Sequence, residues 1–324
     1  MKKKYLCICG ILVLLLFGCA KKPPSVFRVG TNVWPGYEFL YLSRSLGYYN
    51  GTPIRLVEYP STTEVIHAYL NGTIEAAAIT MDEVLLLTEY ERQPRVMLVM
   101  DFSEGGDAIL GTSEIKGLLD IKGKRVGVES GALGAFVISR ALEIVGMEPE
   151  DIHVIPLKAN EHEDAFKNGL VDAVVTFEPV RSRLLAKGAN LLFDSSQIPD
   201  EIMDVLVVRE EIISGNANTI EILLKGWFKA IDYFRENREE AACKMAPRMG
   251  VSPEQFLMSL NGLHIPDLKE NVDLLAGSPS ITLKNSRKLA QSMLNLKLLK
   301  SIPDLSSLIY AEPVRKLTGE GGKQ

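Results

Sequence analysis

The chain has 324 residues, 46% of them hydrophobic and 24% charged, with 16 Pro and 26 Gly; these proportions exclude a disordered chain, a collagen-like repeat and a disulfide scaffold, and the length suits two domains. Lys plus Arg number 36 against 41 Asp plus Glu, for a net charge of −5, so there is no basic excess for a nucleic-acid partner. Mean hydropathy is +0.08 and the long apolar run occurs once, at the N-terminus, which excludes a multi-span membrane protein.

Lys2, Lys3 and Lys4 precede an apolar run from Tyr5 to Phe17, too short to span a bilayer comfortably. The pattern reads as a secretory signal peptide over residues 1–18. The run ends in Leu16-Phe17-Gly18-Cys19, which resembles a bacterial lipobox, although Phe17 stands where a smaller residue is usual. That resemblance implies cleavage before Cys19, lipidation of Cys19, and a tether over 19–25. Cys7 and Cys9 leave with the signal, so no internal disulfide is available. Cys243, in a helical run, is expected to be a small buried residue.

Two stretches echo each other at near-constant offset. Arg28-Val29-Gly30 recurs as Arg125-Val126-Gly127, and Ser43-Arg44-Ser45-Leu46 as Ser139-Arg140-Ala141-Leu142. Asn71-Gly72-Thr73-Ile74-Glu75-Ala76 recurs as Asn168-Gly169-Leu170-Val171-Asp172-Ala173. Each copy runs strand (27–30; 125–128), helix (39–46; 135–145), strand (54–58; 153–156), helix (63–70; 163–166), strand (76–80; 173–177). That alternation predicts an α/β fold of two lobes, each a doubly wound parallel sheet with helices on both faces. Segments near 108–112 and 203–208 are expected to cross between the lobes as a hinge. The expected division is lobe 1 over 26–107, lobe 2 over 108–203, and a return to lobe 1 with C-terminal helices over 204–324, where 221–235 is the strongest helical segment.

In open parallel sheets, ligands bind outside the carboxyl ends of the strands. Those ends nominate Asn32, Trp34, Gly36, Tyr37, Ser61, Thr62, Thr80 and Asp82 in lobe 1, and Ser130, Gly131, Ala132, Leu133, Phe177 and Glu178 in lobe 2. Trp34-Pro35-Gly36-Tyr37 puts an aromatic pair on a strand-to-helix loop, suited to a flat or alkyl ligand face. Ser61 and Thr62 are equally a helix N-cap. Ser130 to Leu133 opens a helix whose free N–H groups favour an anion or a carbonyl oxygen. Glu178, before Pro179, could present a carboxylate to the cleft.

Catalytic constellations are weak. No P-loop, dinucleotide fingerprint, Gly-x-Ser-x-Gly elbow or His-Glu-x-x-His occurs. The histidines are dispersed, and Glu161-His162-Glu163-Asp164 reads as a solvated acidic turn before a helix rather than a metal site. No enzyme, metal or cofactor is indicated.

In order along the chain stand the lipobox, Leu46-Gly47-Tyr48-Tyr49, 54–58, Asn71 to Ala77, Ile121-Lys122-Gly123-Lys124-Arg125-Val126-Gly127-Val128, Gly169 to Ala173, and Phe177-Glu178-Pro179. With these, residues 26–240 resemble the periplasmic substrate-binding proteins of ABC importers for nitrate, taurine, aliphatic sulfonates and thiamine-precursor pyrimidines. The resemblance implies a two-lobed, type II-like periplasmic-binding fold with two crossing segments. By position, Trp34, Ser130, Gly131 and Glu178 match family cleft segments, and Phe177 replaces a frequent Trp. It implies an extracytoplasmic lipoprotein, in the periplasm or at the cell surface, that binds a small molecule. The implied partners are an ABC permease and ATPase and, through the lipid, the membrane; the protein is expected to be a monomer with no nucleic-acid partner. A sensor docking on a membrane signalling protein and an enzyme related to pyrimidine synthases are the alternatives. Among the strand-end residues Lys158 is the one cation, so their chemistry favours a solute bearing an amino or ring N–H group over a sulfonate or nitrate.

Overall fold

The repeated motifs build the same corner twice. The computed structural model describes residues 26–90, 93–131 and 133–319; the signal, the tether, Cys19 and Ala132 lie outside them. In chain order the strands are β1 (Phe27–Thr31), β2 (Ile54–Glu58), β3 (Ala76–Thr80), β4 (Pro94–Ser103), β5 (Asp107–Gly111), β6 (Arg125–Val128), β7 (His153–Pro156), β8 (Ala173–Phe177), β9 (Asn190–Asp194), β10 (Met203–Arg209) and β11 (Leu263–His264). The first eight α-helices are α1 (Glu38–Ser45), α2 (Thr62–Leu70), α3 (Met81–Leu87), α4 (Leu133–Ile144), α5 (His162–Lys167), α6 (Val180–Leu185), α7 (Ile213–Glu236) and α8 (Arg238–Met249).

Val29 faces Ala76 and Gly30 faces Ala77 across β1 and β3; Val126 faces Ala173 and Gly127 faces Val174 across β6 and β8. The conserved offset between the two copies is therefore a conserved register. An ion pair locks each copy. The Arg28 backbone N–H donates to Glu75 Oε2 at 2.7 Å, and that of Arg125 to Asp172 Oδ2 at 2.9 Å, each with its own guanidinium on the same carboxylate. Each second helix ends at Asn-Gly, where Gly72 and Gly169 take φ of 70° and 67°, the left-handed conformation that stops a helix at little cost to a residue without Cβ.

The sheets run β11-β4-β10-β3-β1-β2 and β7-β6-β8-β5-β9. The three strands of each repeat are parallel, as the alternation predicts. Each sheet then gains an antiparallel crossing strand, β10 beside β3 and β5 beside β8, so both sheets are mixed. Asp107–Gly111 and Met203–Arg209 are thus full strands of the lobes they enter, and the chain passes between lobes at 104–106 and 195–202.

The C-terminal helices close the first lobe. Trp227 of α7 is fully buried, with its ring edge-on to Phe39 of α1 at 5.6 Å. Cys243 departs from expectation: it lies on the outer face of α8 and is exposed, while Ala241, Ala242, Met245 and Ala246 carry the buried face. No described helix is long and apolar enough to cross a membrane.

Candidate functional site

The carboxyl ends of both parallel sets meet at a cavity of about 30 Å³, room for roughly two waters. Seven of the nominated residues line it: Asn32, Trp34, Tyr37, Thr62, Thr80, Leu133 and Phe177. Trp34 and Phe177 meet across the lobes, edge to face at 6.0 Å.

Six nominated residues do not line it, each for a local reason. Ser61 caps α2, accepting the Glu64 N–H at 3.3 Å. Gly36 sits behind Trp34, where a Cβ would fall 1.9 Å from Asp101 Oδ2; only a bare backbone fits there. Asp82 is buried in the first turn of α3, behind the cavity. Ser130 and Gly131 are exposed at the lobe boundary, with Gly131 abutting Thr63. Glu178 is buried but turned into its own lobe. It accepts from Ser182 Oγ at 2.8 Å, the Ser182 N–H at 3.3 Å and Arg181 Nη1 at 3.1 Å.

Strand-end reasoning missed the acidic part of the lining. Glu83, Asp107, Glu129 and Asp204 line the cavity, with His162, Val137, Val175 and Thr176; among the described residues no Lys or Arg does. Three aspartates gather where the crossing strands meet. Asp101 of β4 and Asp204 of β10 are direct cross-strand partners, and Asp107 opens β5. Trp34 Nε1 donates to Asp101 Oδ1 at 3.1 Å, and the Tyr37 hydroxyl donates to Asp204. Burial, first, and then mutual repulsion hold these groups protonated far above the usual carboxylate range. Asp101 is pushed up to about 8, Asp107 to about 7, and Asp204 upward by burial and by Asp101.

The helix expected to offer its N-terminus to a ligand anion offers it to the protein instead. The Leu133 N–H at the start of α4 donates across the cleft to Glu83 Oε1 at 3.1 Å, while Glu83 Oε2 accepts the Thr80 N–H at 2.9 Å. Burial and the adjacent Asp82 push Glu83 upward, and burial pushes Asp82 to about 6. Both Glu83 oxygens accept N–H groups, which pull against that rise. The reverse latch is also made: Glu129 of the second lobe accepts the Thr63 N–H at 2.9 Å and Thr63 Oγ1 at 2.5 Å, at the start of α2. Outside both, Lys158 Nζ reaches Glu64 Oε1 at 2.7 Å.

His162 corrects the reading of a solvated turn. It is 2% exposed, with Nδ1 3.2 Å from Thr176 Oγ1, and burial holds its pKa down at about 4. Its neighbour Glu163 fits the solvated reading better, bridging Lys167, Arg183 and Lys187.

Two mixed sheets of like strand order, joined by two crossings over a cavity, are the architecture of periplasmic solute-binding proteins. The chain belongs to the NMT1-like family, which it matches over residues 20–249. A protein of Escherichia coli (strain K12) named for the binding of aliphatic sulfonates is 25% identical over 261 residues, 76% of this chain and 79% of that protein. A Brucella abortus (strain 2308) protein, named only as a binding protein, is 24% identical over 139 residues, 42% of this chain and less than half (44%) of its own length. The alkanesulfonate-binding protein SsuA of Xanthomonas axonopodis pv. citri, solved with MOPS bound, superposes with a TM-score of 0.74 at 17% identity, over 90% of this chain and 100% of that one. This chain therefore shares the fold of solute-binding proteins of ABC import systems.

Proposed function

We propose that this protein is an extracytoplasmic solute receptor that captures a small organic molecule between its lobes and delivers it to an ABC importer. The observation that carries the reading is the cavity itself. It lies at the carboxyl ends of both parallel sets, and it is lined by buried polar atoms with no partner among the described residues, Asn32 Oδ1, Asp107 Oδ2 and His162 Nε2. Unpartnered buried polar atoms cost free energy, and a bound solute supplies the partners. Asn32, Trp34, Tyr37, Thr62, Thr80, Leu133 and Phe177 are the solute contacts in this reading. An organic solute is larger than the cavity, so it enters through an opened hinge and is enclosed as the lobes close. The protein acts as a binding protein without catalysis, as a monomer tethered after removal of residues 1–18.

Closure must be driven by contacts to both lobes, because a ligand shifts two states only by its differential affinity. Small-angle scattering of tether-free protein is expected to show a smaller radius of gyration on saturation with a solute. Binding by calorimetry at an unchanged radius would sink the clamp reading. The anchor has its own test. Cys19→Ala is expected to abolish lipid labelling and to leave soluble folded protein or an uncleaved precursor; unchanged size and membrane fractionation would refute the lipoprotein assignment.

A further inference from the structure

We propose that the cleft selects a small organic cation with N–H donors, an ammonium or amidinium, which docks its charge against Asp107 and Asp204 and its apolar body against Trp34 and Phe177. The proposal rests on the solute-receptor reading and names the class of solute.

Four observations converge on it. The lining carries four carboxyl groups and, among the described residues, no Lys or Arg. The helix N-terminus that would receive an anion already holds Glu83 from the facing lobe, so an anionic solute must displace a buried carboxylate and then lie beside the others. Asp107 Oδ2 and Asn32 Oδ1, in side chains 3% and 5% exposed, are acceptors with no donor. Finally, the lining beside these groups is apolar: Leu133, Val137, Val175 and Phe177, the last the direct cross-strand partner of Asp107, with the Trp34 ring against Phe177. An aromatic face attracts a cation, the more so when dry.

The same groups predict how binding couples to protons. Around Asp107 stand Asp82, Glu178 and Arg181; around Asp204 stand Asp101, Tyr37, Asp107 and Glu83. His162 is held neutral by burial. Burial pushes Asp82, Asp101 and Asp107 upward, so an arriving cation favours the ionised form and releases protons. Cation binding therefore tightens as pH rises toward 8; anion binding would weaken.

The test is a thermal-shift and calorimetric panel on tether-free protein, with benzamidinium, guanidinium and methylammonium against nitrate and ethanesulfonate. At least one cation is expected to raise the melting temperature. Its affinity should increase up to about tenfold per pH unit between pH 6.5 and 8 for each proton released. Asp107→Asn should weaken that cation at least tenfold and flatten the pH dependence, with the wild-type pH profile standing as evidence should the variant fold poorly. Stabilisation by nitrate or ethanesulfonate alone would overturn the cation assignment and leave the receptor reading intact. Stabilisation by no probe would also overturn the cation assignment; the receptor reading then stands or falls on the scattering experiment with a broader solute set.

Discussion

The wild-type protein without ligand is expected to lose about 2 to 3 kcal/mol of stability between pH 6.5 and 8.5, and the Asp101→Asn/Asp107→Asn variant to lose less and to be the more stable at pH 8. The sign follows from linkage. Both carboxyls have folded pKa values raised by burial, to about 8 and about 7, whereas an unfolded Asp titrates near 3.9. The native state thus binds more protons across this range, and its stability falls as pH rises through the folded values. The measurement belongs between pH 6.5 and 8.5. His162, depressed to about 4, adds stability as pH rises only up to its unfolded value near 6.5. Glu38, pushed up to about 7 by burial against the pull of Arg248, titrates in the window too, but both proteins keep it. Calorimetry should show the wild-type melting temperature falling by about 5 °C over the window and a shallower slope in the variant. Parallel slopes would mean the hinge aspartates are not under electrostatic strain. Stability gained while binding is lost is the usual signature of a site that sacrifices one for the other.

In the Glu83→Ala/Glu129→Ala variant, the clamp is expected to stay open. Each residue caps the N-terminus of a helix in the opposite lobe, and such a hydrogen bond contributes about 0.5 to 1.5 kcal/mol. Losing both shifts the closed-to-open ratio by about one to two orders of magnitude. The radius of gyration with a saturating probe should remain at the ligand-free wild-type value, and probe affinity should fall with it. Lys158→Ala is the control: its bridge to Glu64 is half exposed and such pairs contribute about 1 kcal/mol at most, so closure should persist. A compact double variant would show that the latch is incidental.

How much of this was legible in the chain depends on whether the cause was local. The register of each sheet was, because Arg-Val-Gly and Asn-Gly-x-x-acid-Ala place an ion pair, a strand pairing and a helix stop within one repeat. Trp34, Tyr37 and Phe177 were, because residues at the carboxyl ends of parallel strands lie beside the cleft. Glu178 also stands at a strand end but turns away, because Arg181 and Ser182, three and four residues on, hold its carboxylate on its own lobe. His162 looked solvated among acids, yet Thr176 on β8 and the Phe177 ring hold it inside.

The sequence by itself therefore determined the two α/β lobes and the aromatic side of the cleft, since periodicity, turn residues and strand ends act over a few positions. Only the tertiary structure decided the acidic side. Asp204 stands far along the chain from Asp101 and Asp107 and becomes their neighbour because β10 returns to pair beside β4. Glu83 and Glu129 find their partners 50 and 66 residues away, across the cleft. Carboxyl groups brought together out of water repel one another and cling to protons, and no local pattern carries a repulsion that exists only once the lobes have met.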